Sequence, residues 1–299
     1  MKNTQVIQLM SIVRLSIFML GITMMSCNSK KEQQLPAIGK SVALFDYFSY
    51  KGNDDFYISN PLSDEDYFYN PILPGWYSDP SVCTNGEGDY FLVTSTFTYF
   101  PGVPIFHSKD LVNWKQIGHV LNRASQLVNM EGQKVSGGIF APAISYNPYN
   151  KTYYMVTINV GAGNFFVKTQ DPFGEWSEPV MLPEVGGIDP SFFFDEDGKA
   201  YIVNNDEAPD NKPEYSGHRT IRIQEFDVKT DKTIGPRKVL VNKGAQPADK
   251  PIWIEGPHLY KINGKYFLMS AEGGTGNWHS EVIFCGDSPM GKFLPWKNN

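Results

Sequence analysis

Three acidic residues, Asp79, Asp189 and Glu255, are spaced along the sequence in a way that could support acid–base chemistry. Each stands 11 or 12 residues before the tyrosine of an aromatic segment, and each is followed by proline, directly or after one glycine. Hydrolysis of a glycosidic bond needs one carboxylic acid to protonate the leaving oxygen and a second carboxylate to activate water or to attack. A third carboxylate nearby would orient the acid and help to keep it protonated near neutral pH.

A single Asp-Pro pair usually marks a turn or a strand end. Its repetition at matched positions is what indicates a functional role for the three acids. Apolar residues also stand directly before two of the acids, with Ile188 before Asp189 and Ile254 before Glu255. A carboxyl group in apolar surroundings is expected to have a raised pKa, which suits a general acid.

The aromatic segments divide the chain from about residue 70 into units of similar design. Each segment reads as the second strand of a hairpin and is followed by another strand, a polar turn and an outer segment. The four segments are residues 88–93, 151–156, 198–203 and 264–269. Units of about four strands are typical of the blades of a β-propeller. If the acids lie on the innermost strands, they should face one another across a central funnel.

The composition agrees with an all-β protein and excludes some partners. Aromatic residues make up 14% of the 299 residues, and the chain has 27 Gly and 21 Pro, which favours short strands joined by many turns. The net charge of -6 and the lack of a basic stripe argue against nucleic-acid binding. Three cysteines argue against a disulfide framework.

The N-terminus has the features of an export signal. Arg14 precedes an apolar stretch over residues 15–25, which is too short for a membrane span, and Ser26 and Cys27 follow it. This ending resembles a bacterial lipobox, so we expect residues 1–27 to be a lipoprotein signal peptide with Cys27 as the lipidated residue. Residues 28–69 would be a tether and N-terminal extension. The predicted location is the periplasm or outer membrane, with the lipid as the only membrane contact; plain secretion with cleavage near Ser26 is the alternative.

Four motifs together resemble the signature of glycoside hydrolase family 43, over residues 70–81, 138–142, 187–191 and 254–258. The resemblance covers about residues 70–296 and implies a five-bladed β-propeller that hydrolyses pentose-containing plant polysaccharides such as xylan, arabinoxylan or arabinan with inversion. It implies that Asp79 is the general base, that Glu255 is the general acid, and that Asp189 orients the acid and modulates its pKa. An inverting pair is expected to stand about 6.5–9.5 Å apart, which leaves room for water.

The same resemblance suggests substrate contacts and one departure from the family. Trp76, His279 and Phe140, which replaces the usual tryptophan of its motif, are expected to contact the sugar. About four blades fit into residues 70–299, so the last blade of the family is expected to be missing. No cofactor is required; a calcium ion is possible in the family, but its histidine ligand would lie beyond Asn299.

Several functional alternatives stay open on the sequence alone. The enzyme could be a β-xylosidase or an α-L-arabinofuranosidase, because the sequence does not show the shape of the sugar pocket. The chain could instead be a non-catalytic or degenerate glycan-binding lipoprotein. A third possibility is a sibling propeller family that acts on fructans by a retaining route, in which the two carboxylates would stand about 5–5.5 Å apart.

Overall fold

The structure is a computed structural model that describes residues 55–62 and 67–297. The chain separates into two compact units, Met1–Pro61 and Leu62–Asn299. The described part of the first unit contains one short helix, α1 (Asp55–Ser59), which the all-β prediction did not include. The expected signal peptide, Cys27 and most of the tether lie outside the described residues. Within those residues, no helix has the length and apolar character needed to cross a membrane.

The second unit consists of sixteen described strands in four antiparallel sheets of four strands. In every sheet, strands that follow one another in the chain are also neighbours in space. Sheet 1 contains β1 (Ser81–Thr84), β2 (Tyr90–Val93), β3 (Gly102–Ser108) and β4 (Lys115–Leu121). Sheet 2 contains β5 (Ile139–Asn147), β6 (Thr152–Asn159), β7 (Gly163–Thr169) and β8 (Val180–Met181).

The other two sheets repeat this arrangement. Sheet 3 contains β9 (Ile188–Phe194), β10 (Ala200–Glu207), β11 (Arg219–Asp227) and β12 (Lys232–Asn242). Sheet 4 contains β13 (Glu255–Ile262), β14 (Lys265–Glu272), β15 (Ser280–Gly286) and β16 (Leu294–Pro295). Three 3-10 turns lie in the connections, at Ala124–Gln126, Pro209–Asn211 and Pro247–Asp249.

The first strands of successive sheets lie next to one another, as the inner strands of a propeller do. Serine side chains join each inner strand to the backbone of the next: Ser81 accepts from Ile144 N–H, Ser145 donates to Phe192 O, and Ser191 donates to Pro257 O. The predicted second strands of the hairpins are β2, β6, β10 and β14. The expectation of an all-β protein with four four-stranded blades is therefore confirmed for the described residues.

The hydrophobic core consists of three clusters that lie between neighbouring sheets. Between sheets 2 and 3 the packing is largely aromatic, with the rings of Phe166 and Phe192 5.5 Å apart in an edge-to-face arrangement. Every residue of β6 is buried, because a sheet covers each of its faces. Each fully buried aromatic side chain of this kind contributes about 1.5–3 kcal/mol. Many of the aromatic side chains therefore pack between the sheets.

Sheet 4 has one apolar face that no other described sheet covers. Tyr260, Ile262 and Leu294 are exposed on it. Phe267 packs edge-on against Trp296 on the same sheet. Its opposite face, by contrast, is buried against sheet 3 in the largest of the three clusters.

Candidate active site

Each inner strand is preceded or opened by a residue with left-handed backbone that stands directly before a proline. The four corner residues and their φ angles are Asp79 (53°), Ala141 (35°), Asp189 (54°) and Gly256 (56°). A residue before proline normally adopts an extended conformation, and a left-handed conformation costs a non-glycine residue about 1–2 kcal/mol. Strain of this kind persists where the surrounding structure imposes it, commonly at functional sites.

The corner in sheet 4 corrects the position expected for the acid. Counting back from the tyrosines made Glu255 equivalent to Asp189, but the corner residue is Gly256. The strand pairing agrees, because Glu255 lies opposite Ala271 across the same kind of bulge that places Phe140 opposite Ile158 in sheet 2. The count was misled because only two residues join β13 to β14, whereas five join β9 to β10.

Asp189 is almost completely buried, with 8% of its surface exposed. Its Oδ2 accepts a hydrogen bond of 3.0 Å from the backbone N–H of Gly256. Burial and the negative charge of Glu255 raise the pKa of Asp189 to about 7; the Gly256 bond opposes this shift, and the charge of Asp79 adds to it. Asp189 therefore interacts electrostatically with Glu255 and Asp79, and it also forms a hydrogen bond to Gly256, the residue after Glu255.

Glu255 is half-buried at the first position of β13. Burial and the negative charge of Asp79 raise its pKa to about 7, while the positive charge of Arg219 acts in the opposite direction. A carboxylic acid with this pKa holds its proton for part of the time near neutral pH and can donate it. This environment suits the general acid of a hydrolase.

Asp79 is exposed, and its Oδ2 accepts a hydrogen bond of 2.5 Å from the Ser95 hydroxyl. Ser95 Oγ in turn accepts 2.7 Å from the backbone N–H of Ala141, the corner residue of sheet 2. One buried serine therefore fixes the candidate base against the neighbouring blade. The sequence reasoning missed Ser95, although the polar run of residues 94–96 directly after an apolar strand is a signal for it.

The aromatic side chains expected at the substrate form a row beside this corner. Trp76 is 70% exposed and stacks on Phe97 with ring centres 5.4 Å apart. Phe97 meets Phe140 edge-on at 5.6 Å. Phe97 thus connects the rings of Trp76 and Phe140. Tyr99 meets the Trp76 ring edge-on, with ring centres 6.4 Å apart.

His279 lies on the loop between β14 and β15. Its ring Nδ1 donates to the carbonyl oxygen of Gly274 at 2.8 Å, and the side chain is exposed. The preceding residue, Trp278, is 86% exposed. The contacts of His279 are those of a histidine that stabilises its own loop.

No group of three or more histidine, cysteine, aspartate or glutamate side chains forms a metal site within residues 55–62 and 67–297. Cys83 and Cys285, the two cysteines in the described part of the chain, are both free.

The sequence profile of the family described as "Glycosyl hydrolases family 43" matches residues 68–299. The chain belongs to this family. The matched range includes all four sheets and all three carboxylates, and it agrees with the resemblance seen in the four motifs.

Individual relatives of this family 43 chain are enzymes named for xylose- or arabinose-containing substrates. The chain is 50% identical over 214 residues to a "Xylosidase/arabinosidase" of Butyrivibrio fibrisolvens, which covers 71% of this chain and 40% of that protein. It is 41% identical over 235 residues to a "Non-reducing end alpha-L-arabinofuranosidase" of Bacteroides ovatus, which covers 76% of this chain and 40% of that protein. The chain thus spans about 40% of the length of these relatives.

Solved structures show the same fold. The crystal structure of a GH43_12 protein retrieved from a capybara gut metagenome is 55% identical, with a TM-score of 0.77, and the match covers 83% of this chain and 46% of that one. A xylan β-1,4-xylosidase from Bacillus halodurans is 38% identical with a TM-score of 0.66, over 77% of this chain and 43% of that one.

Proposed function

We propose that the protein is a glycosidase that hydrolyses O-glycosidic bonds of pentose-containing plant polysaccharides or oligosaccharides with inversion, as a β-xylosidase or α-L-arabinofuranosidase. The observation that carries the proposal is the group of three mutually interacting carboxylates, one exposed, one half-buried and one buried. Family membership and the names of the relatives support the substrate class.

The mechanism follows from how the three environments differ. Glu255 donates its proton to the glycosidic oxygen, so that the leaving sugar departs as a neutral alcohol. Asp79, which is open to solvent, takes a proton from a water molecule as that water attacks the anomeric carbon from the opposite face. Asp189 repels negative charge on Glu255 and holds the adjacent Gly256, which favours the protonated, correctly placed acid. The aromatic row of Trp76, Phe97 and Phe140 would form an apolar wall for the sugar ring.

We also propose that a fifth sheet completes the propeller in the whole protein. The exposed apolar face of sheet 4 supports this, because its other face and both faces of sheet 3 are covered by neighbouring sheets. An exposed apolar sheet face lowers solubility and favours aggregation. A lipid anchor at Cys27 and a periplasmic or outer-membrane location remain part of the proposal, on the sequence pattern alone.

The test is hydrolysis of nitrophenyl β-D-xyloside and nitrophenyl α-L-arabinofuranoside by the purified protein. Asp79→Asn should lose at least about 100-fold in kcat/KM on either substrate, the usual contribution of a general base, and Glu255→Gln should lose at least as much on xylobiose, whose leaving sugar must be protonated. Asp227→Asn is a matched control, because the side chain of this half-buried aspartate accepts hydrogen bonds only within its own turn, from Lys229 N–H and the Thr230 hydroxyl. Wild-type protein that binds xylan and releases no sugar would favour the non-catalytic alternative instead.

A further inference from the structure

Arg219 opens β11 and lies against the segment that leads into the candidate acid. Its guanidinium carbon is 4.3 Å from the centre of the Trp253 ring, and Trp253 comes two residues before Glu255. The guanidinium group also pairs with Glu207, the residue opposite Arg219 in the sheet. Only 15% of the arginine side chain is exposed, so solvent screens its charge weakly.

Two hydrogen bonds hold this segment of sheet 4 against sheet 3. The backbone N–H of Trp253 donates to the carbonyl oxygen of Gly217 at 2.8 Å. The side-chain amide of Asn205 donates to the carbonyl oxygen of Ile254 at 2.6 Å, and both of these residues are fully buried. These two hydrogen bonds join the segment directly before Glu255 to residues next to β11 and on β10. Arg219 and Glu255 therefore keep a fixed relative position.

The charges around Glu255 act in opposite directions. Burial and the charge of Asp79 raise the pKa of Glu255, whereas the charge of Arg219 lowers it. When Glu255 gives its proton to the glycosidic oxygen, a negative charge develops on its carboxylate. A fixed cation beside a developing charge stabilises it without reorganisation, which is an effective form of catalysis in a site that excludes water.

We propose that Arg219 is a positioning residue for the acid, which holds residues 253–255 in place and stabilises the Glu255 carboxylate as its proton leaves. The inference rests on the proposed function for the role of Glu255 as acid. Asp189 and Arg219 then act on Glu255 in opposite senses: Asp189 favours the protonated form before the reaction, and Arg219 favours the ionised form that the reaction produces.

The direct test follows the ionisation of Glu255 by NMR, with ¹³C label in the glutamate side-chain carboxyl groups and the Glu255→Gln spectrum to assign the signal. In Arg219→Met the pKa of Glu255 should rise by about one unit, as expected for loss of a nearby opposite charge. Arg219→Lys keeps the charge and should retain most of the wild-type value. Arg222→Met is the matched control, because Arg222 lies on the same strand and pairs with Asp206, and it should leave the pKa of Glu255 unchanged.

In a second variant the pKa of Glu255 should shift in the opposite direction. Glu207→Gln removes the negative charge that partly neutralises Arg219, so the pKa of Glu255 should fall. This variant provides the test if Arg219→Met does not fold. An unchanged titration in either Arg219→Met or Glu207→Gln would overturn the proposal. Equal shifts in Arg219→Met and Arg219→Lys would also overturn it, because the arginine would then act through its shape alone.

Kinetics with different leaving groups add a readout that a purely structural role would not move. Arg219→Met should lose several-fold more activity on xylobiose than on a nitrophenyl xyloside, whose leaving group needs little protonation; equal losses on both substrates would count against the proposal. The titration needs no turnover. A protein that hydrolyses neither substrate would therefore refute the proposed function while the titration still decides the role of Arg219.

Discussion

The two ends of β9 carry aspartates of similar burial and opposite electrostatic character. Asp189, near the start of the strand, is 8% exposed and has its pKa raised to about 7. Asp195, directly after the last residue of the strand, is 3% exposed. Burial alone would raise the pKa of Asp195 too, but hydrogen bonds from Tyr266 and Lys261 outweigh that effect and lower it.

Burial raises the pKa of Asp189, and the two carboxylates differ further because only Asp195 has enough hydrogen-bond donors to outweigh that effect. Asp195 has a lysine, a tyrosine hydroxyl and the backbone N–H of Glu196 as donors, so it stays ionised and joins sheet 3 to sheet 4. Asp189 has one backbone donor and two acidic neighbours. The carboxylate at the funnel end of the strand is therefore in an environment that disfavours its ionised form, whereas the environment at the other end favours the ionised form.

The largest expected effect is on catalysis at the funnel end. Asp189→Asn keeps the size of the side chain and removes the ionisable group that favours the protonated form of Glu255. We expect kcat/KM on xylobiose, whose leaving sugar must be protonated, to fall about 100-fold or more, with no loss of thermal stability at pH 8. If Asp189→Asn keeps full activity, Asp189 has no role in catalysis and does not differ in function from Asp195.

The next effect is on stability at the opposite end. Asp195→Asn removes the charge that the Tyr266 hydroxyl and Lys261 contact, and we expect the free energy of unfolding at pH 7 to fall by about 2 kcal/mol. Urea denaturation measures this loss. The pKa of Glu255 should stay at its wild-type value, since Asp195 lies at the far end of the strand. A change in that pKa would show that the two ends are coupled.

The pH dependence of stability should have opposite signs for the two aspartates. Folded Asp189 holds a proton that the unfolded chain releases near pH 4, so its contribution falls as the pH rises from about 4 to 7. The contribution of Asp195 is present above its unfolded pKa and is lost as the pH falls through its lowered folded value. Asp189→Asn should therefore gain stability relative to wild type above pH 7. The stability that Asp195→Asn loses relative to wild type should become smaller below about pH 4. Melting temperatures measured across this pH range would contradict the account of either aspartate if the change had the opposite sign.

The smallest expected effect comes from a single hydrogen bond. Tyr266→Phe removes the hydroxyl that donates 2.6 Å to Asp195 Oδ2 and leaves the ring packing intact. We expect a loss of about 1 kcal/mol in the free energy of unfolding, with unchanged activity. A loss as large as that of Asp195→Asn would mean that the tyrosine, and not the lysine, provides most of the stabilisation.

The sequence predicted the strands and the three carboxylates because both depend on local patterns that repeat from blade to blade. It placed Glu255 one residue from its true equivalent, since the short turn between β13 and β14 is invisible to a count along the chain. Ser95 and Arg219 were not predicted as site residues, because each lies in a different part of the chain from the carboxylate that it influences. The contrast between Asp189 and Asp195 could not be predicted either, as Tyr266 and Lys261 come from another blade.

The central claim is that Asp79 and Glu255 hydrolyse a pentoside on opposite sides of the anomeric carbon. Proton NMR of the first sugar released by the wild-type protein tests it most directly. From a β-xyloside we expect α-xylose as the first product, before mutarotation mixes the two anomers. β-Xylose as the first product, or no sugar released from either a xyloside or an arabinofuranoside, would contradict it.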